Sequence, residues 1–238
     1  MSGLRVHDLS FSYGSKQALE NVSFDVEPGQ FCALLGPNGA GKSTLFALLT
    51  RLLNTDAGSI EIASHDLAQA PRAALAKLGI VFQQTTLDLD LSVRQNLSYF
   101  AALHGLAGRD AGKRIDAALD RLDMLERAAE KARALNGGHR RRAEIARALI
   151  HEPSVLLLDE PTVGLDAAAR AAITDHVHQL SVEGTTVLWA THLTDEVRPD
   201  DTLVILHQAR VLATGTVQSI CKDAPLQDTF LSLTAVSA

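Results

Sequence analysis

One stretch restricts this 238-residue chain more than any other: Gly36-Pro37-Asn38-Gly39-Ala40-Gly41-Lys42-Ser43-Thr44. It follows the apolar run Phe31–Leu35 and precedes Leu45, Leu48, Leu49, Leu52 and Leu53, which recur at helical spacing. Strand, glycine-rich turn and helix are the setting that a phosphate-binding loop requires. The glycines let backbone N–H groups turn inward without a Cβ clash and form a concave anion nest. The following helix aims its positive end at the same spot. Lys42 can then reach the β- and γ-phosphates, and the Ser43 hydroxyl can ligate Mg²⁺. A plain linking turn is the bland alternative. By itself the loop leaves kinase, GTPase, helicase and transporter ATPase open.

A second stretch narrows the choice. Val155-Leu156-Leu157-Leu158 is unbroken apolar sequence ending on Asp159-Glu160-Pro161. A strand without alternation is buried on both faces, as in a parallel sheet covered by helices. Its carboxylates fall at the carboxyl edge, where ligands bind in such sheets. Asp159 can there hold the Mg²⁺ ligated by Ser43. The competing reading is a helix cap, for which Asp is also favoured.

The remaining chain reads as one α/β unit. Leu4 and Val6, then Val22, Phe24 and Val26, alternate with polar residues and predict antiparallel strands with one wet face. Tyr13 falls in or beside their turn, as either a half-buried strand aromatic or a platform for a base. Short strands are expected near Ser59–Ile62 and Gly79–Phe82, followed at once by Gln83 and Gln84. From Ser92 to Leu135 the chain turns Ala-rich, with Ile115, Leu119 and Leu122 on one helical face and charges on the other. Asn136-Gly137-Gly138-His139 opens a further helix whose start is crowded by Arg140, Arg141 and Arg142, against the helix dipole. A solvated surface and an anion-facing role both fit those arginines. His192 follows the strand Thr186–Ala190 directly. His176 and His178 are two apart on a helix and face different ways, which argues against a metal pair.

Composition sets outer bounds. Twenty-two Lys and Arg against 28 Asp and Glu give a net charge of −6, which argues against non-specific nucleic-acid binding. The longest apolar runs are far shorter than the ~20 residues that span a bilayer. No basic region followed by an apolar core lies near Met1, so the expected location is the cytoplasm, with any membrane role mediated by a partner. Cys32 and Cys221 stand far apart and receive no role.

Taken together, the motifs resemble the ATP-binding cassette family over essentially the whole chain. Gly36–Thr44 is similar to its Walker A, and Val155–Glu160 to its Walker B with the catalytic glutamate. Gln83 is similar to the Q-loop glutamine, Tyr13 to the adenine-stacking aromatic, His192 to the switch histidine, and Pro161–Asp166 to the D-loop. Leu135–His139 stands where the family carries Leu-Ser-Gly-Gly-Gln, with Asn136 for Ser and His139 for Gln. The resemblance implies a P-loop NTPase fold with a mainly parallel sheet core, an N-terminal antiparallel β subdomain and a helical subdomain inserted at about 85–151. It implies a single nucleotide-binding domain, 1–238, that sandwiches two ATP molecules with a second copy or a related cassette.

Under that resemblance Glu160, His192, Gln83 and Lys42 carry the chemistry, and Ser43, Gln83 and Asp159 hold Mg²⁺. Tyr13, Gly36, Pro37, Asn38, Gly39, Ala40, Gly41, Lys42, Ser43 and Thr44 bind ATP. Asp166 also binds it, and Asn136, Gly137, Gly138 and His139 do so from the facing subunit. The expected protein is an ATPase subunit, peripheral on the cytoplasmic face, driving transport through a separate transmembrane permease. The Leu226–Thr234 ending resembles export-type cassettes, and the chain leaves no room for the C-terminal regulatory domain of many sugar importers. A soluble cassette acting on ribosomes or DNA, and an ATP-dependent clamp with little hydrolysis, are the alternatives. His139 suggests pH-sensitive dimer closure, because an unperturbed imidazole titrates near ~6.5.

Overall fold

The computed structural model describes residues 3–222 and 224–235. Strands β1 (Leu4–Tyr13) and β2 (Lys16–Val26) form a hairpin, and β3 (Phe31–Leu35) leads into α1 (Lys42–Leu49). Strands β4 (Ser59–Ile62) and β5 (His65–Asp66), the short α2 (Pro71–Leu75) and β6 (Leu78–Val81) follow. Three helices come next: α3 (Val93–Leu103), α4 (Gly108–Asp120) and α5 (Gly137–Leu149). The chain then runs through β7 (Val155–Asp159), α6 (Ala167–Val182), β8 (Thr186–Thr191), β9 (Thr202–His207) and β10 (Arg210–Thr216). Helices α7 (Val217–Cys221) and α8 (Leu226–Ala235) complete it.

The strands form two sheets. One is antiparallel, in the order β2-β1-β4-β5, with Leu4 opposite both Val26 and Ile62. The other runs β10-β9-β3-β8-β7-β6 and is parallel except for β9 against β10. Every residue of β3, β7 and β8 is buried. Their side chains alternate between two apolar layers, as a period of two demands. Ala33, Leu156 and Trp189 join the layer built by α3, α4, α5 and α6. Leu34, Leu157 and Leu188 join the layer built by α1 and the antiparallel sheet. Burying such a side chain contributes about 1.5–3 kcal/mol, so both faces of the central strands hold the fold together.

Two local expectations fail. Helix α1 stops at Leu49, and Leu52, expected on its buried face, is 69% exposed. The Thr50 hydroxyl donates to the Phe46 carbonyl, and Arg51 then takes a left-handed backbone (φ 57°) that ends the helix and turns Leu52 outward. The second half of the Ala-rich segment is also not continuous helix. It makes two 3₁₀ turns, Leu125–Arg127 and Ala132–Ala134.

Strands β3, β8, β7 and β6 lie side by side, run parallel and therefore share one carboxyl edge. At that edge the chain delivers Gly36–Thr44, His192, Asp159-Glu160 and Gln83. Register tightens the arrangement: Gly36 N donates to Thr191 O (3.3 Å), and Glu160 N donates to Ala190 O (2.9 Å).

Candidate active site

The glycines of the loop are needed for close approach. A Cβ on Gly36 would lie 2.4 Å from the Leu206 carbonyl oxygen. At Gly41, which takes φ 117° as the N-cap of α1, it would lie 2.6 Å from the Ala18 carbonyl oxygen. Helix α1 has no side-chain cap and no acidic residue in its first turn, so its N–H groups and positive end are left for an anion. Lys42, the first helical residue, is 5% exposed. Its Nζ donates to the carbonyls of Gly36 (2.6 Å) and Pro37 (3.3 Å) and lies 3.3 Å from Glu160 Oε1.

The loop borders a cavity of about 420 Å³. Ser43 and Thr44 line it, with Lys16, Gln83 and Glu160 on other walls and Tyr13, half exposed, at its rim. Tyr13 packs edge-on against Phe11, with ring centroids 5.0 Å apart. A smaller cavity of about 180 Å³ near Leu48 and Asp66 holds none of the motif residues.

Glu160 is the meeting point of the site. Gln83 Nε2 donates to its Oε2 (3.2 Å), while Lys42 Nζ and His192 Nδ1 (3.4 Å) face its Oε1. Glu160 holds a left-handed backbone (φ 45°) just after the strand, a conformation non-glycine residues adopt at some energetic cost. Its neighbour Asp159 is buried at the end of β7. Burial pushes the Asp159 carboxyl above the usual range, and the Glu160 charge adds to the push, while Lys42 and Arg141 oppose it. Ser43, Gln83 and Glu160 line the cavity and carry hard oxygen atoms, while Asp159, next to Glu160, lies outside the cavity lining. Such oxygens suit Mg²⁺, which takes few protein ligands alongside phosphate oxygens.

Residues 135–139 are elsewhere. None of Asn136, Gly137, Gly138 and His139 lines the cavity. Asn136 caps α5: its Oδ1 accepts from His139 N (2.8 Å), which leaves the amide NH₂ as the free end. Cβ atoms on Gly137 and Gly138 would lie 3.0 Å from Leu165 and Ala169, so this helix start packs beside the D-loop of the same chain. Asp166, also outside the cavity, caps α6 through Ala169 N (2.8 Å). Burial and the nearby Arg127 and Arg142 guanidinium groups hold the His139 imidazole below its usual range, partly offset by Glu130.

Of the three arginines only Arg141 is buried, and Arg140 and Arg142 are partly exposed. Arg141 is buried and donates to the carbonyls of Phe82 (2.6 Å) and Gln83 (2.7 Å) and to Glu144 Oε2 (2.9 Å). Arg140 donates to the carbonyls of Ala132 and Arg133, both at 3.1 Å. Arg142 faces Asp123 at 3.7 Å. Glu144, 1% exposed, accepts from Thr86 N (2.6 Å), and Arg147 donates to the Thr86 carbonyl (3.0 Å). Arg141, Glu144 and Arg147 thus form a bracket on α5 that fixes the backbone around Gln83. Sequence reading missed it, although a spacing of three along a helix was the available signal.

A family model described as "ABC transporter" matches residues 19–163. The chain belongs to the ABC transporter family. It is an ATP-binding subunit of that family, whose cassettes are ATPases coupled to transport. It is 42% identical to the daunorubicin resistance ATP-binding protein DrrA3 of Streptomyces coeruleorubidus, over 87% of this chain and 66% of that protein. Identity is 35% to the linearmycin resistance ATP-binding protein LnrL of Bacillus subtilis (strain 168), over 97% and 74%. It is 38% to the Nod factor export ATP-binding protein I of Burkholderia thailandensis, over 87% and 69%. The cassette therefore spans about two thirds to three quarters of these relatives' lengths.

Solved cassettes share the fold. The ATP-binding subunit of an ABC transporter superposes with a TM-score of 0.85 at 29% identity, over 98% of this chain and all of that one. The cbiO1 protein of Clostridium perfringens, part of the transporter complex cbiONQ, gives 0.84 at 30% identity over 93% and 91%. The cassette MJ0796, solved as a dimer, gives 0.79 at 26% identity over 90% and 98%.

Proposed function

We propose that ATP hydrolysis by this cassette drives export of a substrate through a separate membrane-spanning subunit, with two cassettes closing head to tail around two nucleotides. The convergence of Lys42, Gln83 and His192 on the Glu160 carboxylate carries the reading. The P-loop amides, the α1 N-terminus and Lys42 take the phosphates, and Tyr13 stacks on the base. Ser43, Asp159 and Gln83 would hold Mg²⁺, which supplies positive charge against the β- and γ-phosphates. Once Lys42 turns to the phosphates, Glu160 is released to orient a water and accept its proton as the bond from γ-phosphorus to ADP breaks. His192 positions the γ-phosphate.

The placement of residues 135–139 outside their own cavity supports a dimer in which Asn136–His139 and Asp166 complete the partner's site. Export is supported by the names of the relatives, two resistance proteins and an export protein. Among the described residues no helix is long and apolar enough to cross a membrane, so a permease would be a separate chain or segment. Exposed Leu89, Tyr99 and Leu103 offer it an apolar seat near the Gln83 loop, where the cassette would lie on the cytoplasmic face. The net charge of −6 disfavours the ribosome or DNA alternative.

Glu160→Gln is the decisive variant. It should still bind ATP but lose steady turnover by about 10²–10³-fold. Turnover equal to the parent's rejects the assignment, and a parent with no turnover to lose points to the clamp.

A further inference from the structure

Glu196 ends the 3₁₀ turn Thr194–Glu196, four residues past His192, and is 2% exposed. Its Oε2 accepts from Trp189 Nε1 (3.0 Å) and Thr191 Oγ1 (2.6 Å), and its Oε1 accepts from Thr162 Oγ1. Among the described residues no cation lies within ion-pair reach of it. A carboxylate buried among neutral donors alone is costly, and an apolar side chain would fill the same space more cheaply. Its three hydrogen bonds must therefore account for its presence.

Those bonds join the two turns on which hydrolysis depends. Thr191 is the last residue of β8, and its hydroxyl also accepts from Leu193 N (3.0 Å), closing the turn that holds His192. Thr162 stands two residues after Glu160. It belongs to a turn tied by Val163 N to Glu160 O (3.3 Å) and Leu165 N to Thr162 O (3.1 Å). A single carboxylate so fastens the backbone under His192 to the backbone under Glu160. His192 Nδ1 and Glu160 Oε1, which these two anchored turns carry, lie 3.4 Å apart.

We propose that Glu196 is a positioning residue for hydrolysis, holding His192 and Glu160 in register and linking both to the D-loop through Thr162. It touches neither nucleotide nor water. The proposal rests on the roles given above to Glu160 and His192.

Three variants of the full chain test it at saturating Mg·ATP. Glu196→Gln keeps an acceptor for Trp189 and Thr191 and lets the Thr162 hydroxyl turn and accept, so kcat should stay within about threefold of the parent. Thr162→Val cuts only the D-loop link with little change of shape, and kcat should fall about threefold to tenfold. Glu196→Ala removes all three bonds, and kcat should fall more than about tenfold, with KM for ATP within about twofold in every variant. Emission from Trp189, the only tryptophan in the chain, checks that the bond to Glu196 is lost in the alanine variant alone. An unchanged kcat in Thr162→Val and Glu196→Ala, or a KM that rises in step with the loss, overturns the proposal. Should Glu196→Ala not fold, Thr162→Val decides. Glu160→Gln measured alongside separates the failures: if it abolishes turnover while Thr162→Val and Glu196→Ala are both silent, only the positioning role falls.

Discussion

Helix α1 starts just after Gly41 and α5 starts on Gly137, yet the two starts are built oppositely. At α1 the first turn has no side-chain cap and no acid, and the strand before it is locked into the sheet on both sides. Its free N–H groups face a cavity already lined by Lys42, Gln83 and Glu160. At α5 the cap is filled by Asn136, and Arg141, Glu144 and Arg147 clamp the helix to the Gln83 backbone. The first start is an anion site made within one chain. The second has His139 N capped by Asn136, is fixed in orientation, and has its glycines beside Leu165 and Ala169, away from the chain's own cavity. A helix start serves its own chain where the fold opens a cavity at its donors. It is turned away from that cavity where side chains behind it set its direction.

Four substitutions break or sharpen this contrast. Arg141→Met strips Glu144 of its buried partner and the Gln83 loop of two hydrogen bonds, and should cost about 3–5 kcal/mol in denaturant unfolding. A loss below about 1 kcal/mol would show that α5 is not clamped. Lys42→Ala removes the bonds to Gly36, Pro37 and Glu160 and should weaken Mg·ATP binding by the folded chain roughly 100-fold, about 2.7 kcal/mol, by equilibrium titration. An unchanged affinity would deny that α1 is the anion end.

The third variant is Asp159→Asn. The folded state raises the Asp159 pKa, so the native chain keeps this proton to higher pH than the unfolded chain does. Ionisation then weakens the nucleotide-free fold as pH rises through the raised value. In thermal melts without nucleotide, Asp159→Asn should match the parent in acid and exceed it once the pH has passed the ordinary carboxylate range. A parent that is the more stable at neutral pH reverses the sign and refutes the account. His139→Gln should have the smallest effect. Because the fold lowers the His139 pKa from 6.5, ATPase profiles of parent and variant should overlay above that value and separate only below it. Separation centred above 6.5 would mean that the partner subunit resets the imidazole.

Much of this was legible before any coordinates. The phosphate loop is contiguous in sequence, and its residues act through the backbone they occupy, so Gly36–Thr44 reads directly. The unalternating runs Phe31–Leu35 and Val155–Leu158 announce strands buried on both faces, and both lie inside the six-stranded sheet. The end of α1 was misread because one left-handed residue, Arg51, outweighs a continuing leucine pattern. Arg141 was not legible because its partners are the carbonyls of Phe82 and Gln83, nearly sixty residues away. No local pattern marks a carbonyl as waiting for a guanidinium.

What the amino-acid order determined alone was the set of parts: a glycine-rich loop, a strand ending on two carboxylates, a glutamine, a histidine, and strands apolar on both sides. Backbone conformation and side-chain period are properties of neighbours along the chain, which is why these survive without tertiary information. Only the folded molecule decided that four parallel strands would bring those parts to one edge. It also decided that Glu160 would be their common partner and that α5 would be braced against the Gln83 loop. Distances across a sheet follow from strand order and register, which long-range packing selects and short-range sequence does not record.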